Sequence, residues 1–270
     1  MTNLNRNPNP DDNGDPDQAP LPPDAVESFR RDGYAIFRPV VDAGTITDVN
    51  GHVDWLLERH PDRRPEDLGH DLARTDPFWI DLVGHPGLLD IAQLFVGPDI
   101  ALFATHYICK APRTGRAVHW HQDGAFWPLE PMNVVSLWLA VTRSDRSNGG
   151  LRVVPGSHTN ELAPMHTRDD GAAFDQEISV DVDERAAVDV ELEPGDVSVH
   201  HPRIHHCSDA NTSTRWRRGL TIRYIPTSTR ITDPERACPF LLRGSDLPAV
   251  NCYLPHPAAT EATYQPGRTR

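Results

Sequence analysis

At 270 residues, with 38% hydrophobic side chains and a formal charge of -13, the chain is long enough for one sizeable core, and its acidity excludes nucleic acid as a partner. Its four cysteines, Cys109, Cys207, Cys238 and Cys252, show no CxxC spacing and follow no apolar leader, which reads as reduced cytoplasmic thiols rather than a disulfide framework. No stretch approaches the roughly 20 apolar residues of a membrane span, so the chain is expected to be soluble, in an oligomeric state the sequence leaves open.

Residues 1–21 are built from Asn, Pro, Asp and Gly with almost nothing apolar. They are predicted to be a disordered tail, since too little surface could be buried to offset the entropy of ordering. Residues 22–270 are predicted to form a single domain. A short amphipathic segment from Asp24 through Phe29 stops at Gly33, and Tyr34 to Phe37 reads as a strand. A longer helix is expected from about Gly44 to Arg59, with Ile46, Val49, Val53, Leu56 and Leu57 on one face, and another from about Pro86 to Phe95.

After Gly97 the pattern turns to strands: Ile100 to Phe103, Tyr107 to Cys109, and Asn133 to Val141, the last apolar on both faces. Ser147 to Gly150 marks a turn before a strand at Leu151 to Val154. The polar stretch from about His158 to Glu184 reads as a long loop. Strands resume at Val188 to Leu192, Val197 to Val199, Arg203 to Cys207 and Gly219 to Ile225. Beyond Pro226 the pattern fades into a Pro-rich segment. Short strands between Gly/Pro turns, with helices gathered at one end, predict a mainly β fold with added helices. The predicted core is a double-stranded β-helix (jelly-roll, cupin-like) over about 98–226, with a C-terminal extension over 227–270.

The sharpest local feature is Trp120-His121-Gln122-Asp123. In extended chain the side chains at i and i+2 leave the same face, so His121 and Asp123 can converge while Gln122 turns away. A distant second histidine would complete a 2-His-1-carboxylate triad, which leaves open positions on iron. Candidates come some 85 residues later, where His200, His201, His205 and His206 crowd one strand pair. One is expected to ligate, another to support it, and at least two to be solvated. Downstream, Arg217, Gly219, Thr221 and Arg223 share one strand face by parity, with Arg218 turned outward. An inward arginine there is suited to clamp a carboxylate through two parallel hydrogen bonds. Lys110 is the single lysine among 26 basic residues; arginine-rich usage suggests a GC-rich bacterial genome, in which a surviving lysine draws attention.

Taken together, these motifs resemble the phytanoyl-CoA dioxygenase family of Fe(II)/2-oxoglutarate oxygenases over about Pro22 to Pro226. The likeness rests on Trp120 to Asp123, Asn148 to His158, Pro194-Gly195-Asp196, His206, and Asn211 through Arg217-Arg218 to Pro226. It implies that His121, Asp123 and His206 ligate Fe(II), that Arg217 and Ser208 bind 2-oxoglutarate, and that Lys110 matches a lysine often seen before the HxD. The family usually has His-Gly-Ser at the distal ligand, whereas here it is His206-Cys207-Ser208, with His205 as an extra neighbour. The intact Asp123 speaks against a halogenase.

The resemblance further implies O₂-dependent oxidation of a small molecule coupled to decarboxylation of 2-oxoglutarate, with hydroxylation as the default outcome. Phe126, Trp127 and His205 are candidate walls of the substrate pocket. The acidic balance makes a CoA thioester less attractive, so a bacterial natural-product tailoring step is expected. The acidic stretch with Asp169, Asp170, Asp175 and Glu177 could favour a cationic, amino-sugar-like substrate. A non-oxidative metal-dependent cupin isomerase or lyase, and a binding protein that has lost catalysis on this scaffold, are the alternative classes.

Overall fold

The computed structural model describes residues 24–267 except 169, 174, 175 and 180. The tail expected over 1–21 lies outside the described residues. The helical first third comprises α1 (Ala25–Asp32), strand β1 (Tyr34–Phe37), α2 (Ala43–Arg59), α3 (His70–Ala73), α4 (Pro77–Val83) and α5 (Pro86–Val96). Gly33, at φ 82, ends α1 where a left-handed residue is needed. Asp42 caps α2, its Oδ1 accepting from the amides of Gly44 (2.8 Å) and Thr45 (3.0 Å). The sequence reading passed over α3 and α4, although Asp76 before Pro77 is an N-cap signature, and Asp76 does accept from the Trp79 amide at 3.2 Å.

Thereafter the chain is β: β2 (Ile100–Tyr107), β3 (Val118–His121), β4 (Leu129–Glu130), β5 (Val135–Ala140), β6 (Leu151–Val153), β7 (Met165–Thr167) and β8 (Gln176–Ile178). Then follow β9 (Val188–Val190), β10 (Val197–His200), β11 (His206–Ser208), β12 (Gly219–Pro226), β13 (Arg230–Ile231) and β14 (Phe240–Arg243). A six-stranded antiparallel sheet in the order β1-β10-β5-β12-β2-β14 faces a four-stranded one in the order β3-β11-β6-β9. This is the expected double-stranded β-helix.

The period-2 alternation of the large sheet separates core from cavity. Leu220, Ile222 and Tyr224 of β12, Val135, Leu137 and Leu139 of β5, and Val197 and Val199 of β10 join one buried cluster with α2, α4 and α5. Their alternate neighbours, among them Ser136, Trp138, His200, Thr221 and Arg223, face the inside of the barrel. Buried polar ties fix the helices to the sheet. His52 of α2 bonds through Nε2 to Asp76 (2.8 Å) and through Nδ1 to the Tyr107 hydroxyl (3.0 Å), and the Tyr224 hydroxyl donates to the Val83 carbonyl (2.6 Å).

In the sheets the structure also differs from the sequence-based expectations. The two strands expected at Ile100 to Phe103 and Tyr107 to Cys109 are one, because Ala104, Thr105 and His106 continue the ladder to β12. The stretch read as a loop contains a hairpin, β7 with β8. The large sheet also extends beyond 98–226: β1 forms one edge and β14, from the C-terminal segment, forms the other. No helix among the described residues is long and apolar enough to cross a membrane. All four cysteines are free, with only Cys252 exposed.

Candidate metal centre and its cavity

Register brings the two histidines together. His121, last residue of β3, and His206, first of β11, are Cα partners across the antiparallel pair, with ring centroids 4.0 Å apart. Gln122 remains extended (φ -124, ψ 116), so Asp123, which opens a 3₁₀ turn, returns to the same face. Gln122 points away and is fully used there: its side-chain NH₂ donates to the Arg203 carbonyl (2.7 Å), and its Oε1 accepts from the Ala163 amide (2.8 Å). Asp123 Oδ1 lies 3.6 Å from His121 Nε2 and 3.8 Å from His206 Nε2. One ligand atom from each of the three residues lies within 4.8 Å of the others, and all three residues are buried.

Each histidine is locked in one tautomer by its own strand. His121 Nδ1 donates to the carbonyl of His119 (2.8 Å) and His206 Nδ1 to that of Ile204 (3.0 Å). A carbonyl only accepts, so each Nδ1 carries the hydrogen, and the neutral form of each ring presents its Nε2 lone pair to the shared centre. Burial, together with the neighbouring His121, holds the His206 pKa well below its ordinary value, so the ring is neutral at pH 7. Burial alone would raise the Asp123 pKa, but Arg223, with His121, His200 and His206, outweighs it and keeps the carboxyl ionised. Two imidazoles and one carboxylate on one face form a donor set that fits a divalent cation.

The second oxygen of Asp123 looks the other way. Its Oδ2 faces Ser136 Oγ (3.4 Å), His200 Nε2 (3.4 Å) and Arg223 Nη2 (3.6 Å). None of these three was assigned a role from sequence; strand parity did place Arg223 on the inner face. The expectation that at least two of the four clustered histidines are solvated is not met. His200, His205 and His206 are buried and His201 is half-buried.

A cavity of about 710 Å³ opens at the cluster, lined by His121, Asp123 and His206, by Phe103, Phe126, Trp127 and Trp138, and by both Arg217 and Arg223. Arg217 is 2% exposed and lies over the Trp138 ring at 5.3 Å. Its Nη2 donates to the Ile108 carbonyl (3.3 Å), while its buried Nε has no partner among the described residues. Burial lowers its pKa to about 10, which leaves it charged at neutral pH and in want of an anion. Arg218, by contrast, turns out of the barrel. It is buried under α2, paired with Asp54, rather than facing solvent.

Ser208 lines the same cavity. Lys110 does not: its Nζ donates to Ser208 Oγ (2.7 Å) and to the carbonyls of Ser208 (3.1 Å) and Asp209 (2.6 Å). It therefore reaches the site through Ser208. Phe126 and Trp127 stand in the cavity wall, but His205 is not among the lining residues. It lies just before β11, and its amide is bonded to Ser157 Oγ (2.9 Å). Cys207 packs with Trp120 and Ile178, and burial pushes its thiol up to about 12, so it offers no thiolate to a metal at neutral pH. Two of the four acids raised as a cation site are already engaged. Asp170 pairs with His119 and Arg168, and Glu177 with Arg168, while Asp169 and Asp175 lie outside the described residues.

A double-stranded β-helix with two imidazoles and a carboxylate meeting at neighbouring strand ends defines the 2-His-1-carboxylate class of cupin-like proteins. The sequence model for phytanoyl-CoA dioxygenase (PhyH) matches residues 17–219, and the chain belongs to that family. Among curated relatives, a phytanoyl-CoA dioxygenase of Arabidopsis thaliana is 30% identical over 159 residues, 58% of this chain and 56% of that protein. A probable alpha-ketoglutarate-dependent hypophosphite dioxygenase of Stutzerimonas stutzeri is 31% identical over 153 residues, 53% of this chain and 51% of that protein. The chain thus spans about half the length of the curated relatives it matches. Among solved structures, the non-heme monooxygenase ThoJ in its apo form is 27% identical, with a TM-score of 0.72 over 89% of this chain and 90% of that one.

Proposed function

We propose that the chain is an Fe(II)- and 2-oxoglutarate-dependent oxygenase that oxidises a C–H bond of a small organic molecule, in the manner of a bacterial natural-product tailoring enzyme. The observation that carries this is the convergence of His121, Asp123 and His206 within 4.8 Å, in a cavity that also holds the unpaired Arg217. Family membership and the names of the relatives support it.

In this reading His121 Nε2, His206 Nε2 and Asp123 Oδ1 hold the iron, and the strand carbonyls behind each Nδ1 keep the rings aimed. Iron bound there, with O₂ and 2-oxoglutarate, supplies oxidising chemistry that the side chains lack. Arg217, stacked on Trp138, receives the distal carboxylate of 2-oxoglutarate, and the Ser208 hydroxyl completes that seat. Lys110 positions Ser208 from behind. Phe103, Phe126, Trp127 and Trp138 keep the cavity dry and set which C–H of the substrate approaches the metal.

The exposed charges lining the cavity disfavour a CoA thioester: Asp67 and Glu235 are two carboxylates against the one cation, Arg236. The test is succinate release by Fe(II)-reconstituted protein under air, across panels of acyl-CoAs and of free small metabolites. The reading predicts substrate-dependent succinate with free metabolites and none with Asp123→Gly. Stimulation by acyl-CoAs alone would overturn the substrate class, and turnover without O₂ and 2-oxoglutarate would overturn the reaction.

A further inference from the structure

Two guanidiniums enter this cavity from one strand face, and the proposed chemistry uses only Arg217. Arg223 is equally distinctive. It is 7% exposed, lines the cavity, and sits against the Trp127 ring with its guanidinium carbon 5.5 Å from the centroid. Its Nη1 is spent, donating to His106 Nδ1 (2.8 Å) and Thr221 Oγ1 (2.6 Å). Its Nε is buried and has no partner among the described residues, and its Nη2 has only the 3.6 Å approach to Asp123 Oδ2. The unused Nε–Nη2 edge is the one that accepts a carboxylate side-on through two parallel bonds.

Charge makes the vacancy informative. Asp123 Oδ1 faces the two imidazoles and Oδ2 approaches Arg223, so one carboxylate would serve both the guanidinium and a metal held at the imidazoles. A cation held beside a dication in a buried cavity is costly unless an anion joins it. Arg217 is rooted further along the chain, since Gly219 to Arg223 alone spans about 13 Å of extended strand. The surroundings define the rest of the ligand. Phe103 and Trp127 stand edge to face at 5.9 Å beside the guanidinium and form an apolar wall.

We propose that the Nε–Nη2 edge of Arg223 binds a carboxylate of the primary substrate, whose apolar body lies along Trp127 and Phe103. The substrate is thus an organic anion, opposite in sign to the cationic molecule that the acidic stretch suggested. This deepens the proposed function and rests on it for the placement of metal and co-substrate.

The experiment uses protein loaded with Zn(II) and saturating 2-oxoglutarate, titrated calorimetrically with phenylacetate and with its neutral isostere phenylacetamide. The anion is expected to bind about 10-fold or more tightly than the amide, as a charge-assisted pair of bonds implies. Arg223→Gln should erase that preference, with the affinity for the amide in the same variant as the internal reference. Arg223→Lys, which keeps the charge without the fork, should retain an intermediate preference. Equal affinity of anion and amide in the native protein overturns the proposal, and that comparison needs no variant to fold. So does a preference that survives Arg223→Gln, or one that fades as 2-oxoglutarate is raised, which would place the anion at Arg217. Failure to take up Zn(II) or 2-oxoglutarate at all would instead sink the functional reading.

Discussion

Gly219→Ala is a one-methyl perturbation whose effect should reach the co-substrate. Gly219 lies in β12 beside Trp138, and a Cβ there would meet the indole at 2.0 Å from Cζ2, 2.5 Å from Cε2 and 2.7 Å from Cη2. Carbon atoms rest about 3.5–4.0 Å apart, so the ring must retreat by about 1.5 Å. The ring is 3% exposed and borders the cavity, the side on which Arg217 lies. Overpacking of this kind costs about 1–3 kcal/mol. The ring is also the platform on which Arg217 lies at 5.3 Å. A displacement of about 1 Å in such a support can cost about 100-fold in function, so 2-oxoglutarate affinity is expected to fall about 10- to 100-fold. Urea unfolding reads the first effect, and calorimetric titration of 2-oxoglutarate into Zn(II)-loaded protein reads the second. The double variant with Trp138→Phe, which removes the clashing ring edge, should recover part of the lost stability. If Gly219→Ala matches the native protein in both measurements, the Trp138–Arg217 platform is not what positions the co-substrate.

At the carboxylate site itself, Arg217→Lys should weaken 2-oxoglutarate binding about 10-fold and Arg217→Gln about 100-fold or more, measured by the same titration, because lysine keeps the charge but not the fork. Lys110→Met strands three buried acceptors, so it should cost about 2–4 kcal/mol in unfolding along with a modest loss of 2-oxoglutarate affinity through Ser208. A loss of affinity without loss of stability would mean that Lys110 touches the co-substrate directly. Burial alone would raise the Asp145 pKa, but bonds from Ser147, Arg215 and Arg143 hold the carboxyl well below its usual range. Its folded pKa is depressed, so its contribution is full above the unfolded value of about 3.9 and is lost as pH falls below it. Asp145→Asn should therefore cost about 1–2 kcal/mol at neutral pH and progressively less below about pH 4, by urea titrations across pH.

Much of this was legible in the residues because parity is local. Alternation along Arg217 to Arg223 placed Arg217, Gly219, Thr221 and Arg223 on one face, and the one-residue spacing of His121 and Asp123 placed both on one side of the chain. Which of His205 and His206 belongs to the centre is a matter of register. The structure pairs His206 with His121, which supports His206 as the candidate, since a slip of one residue would exchange the faces. The groups behind Asp123 were out of reach for the same reason. His200 and Ser136 lie on different strands, and nothing in their neighbourhoods signals that β10 and β5 carry them to a single carboxylate oxygen. Lys110 stood out by its rarity, but its task is to hold the backbone after β11, a contact between segments nearly a hundred residues apart.

The most direct test of the metal centre is a calorimetric titration of Co(II) into the metal-free native protein, His206→Ala and His205→Ala. The native chain should bind one equivalent, and His205→Ala should bind within about 3-fold of it. His206→Ala should lose more than the roughly 100-fold that loss of a supporting hydrogen bond can cost. A native chain that takes up no stoichiometric metal, or an affinity lost with His205 and kept without His206, would contradict the account.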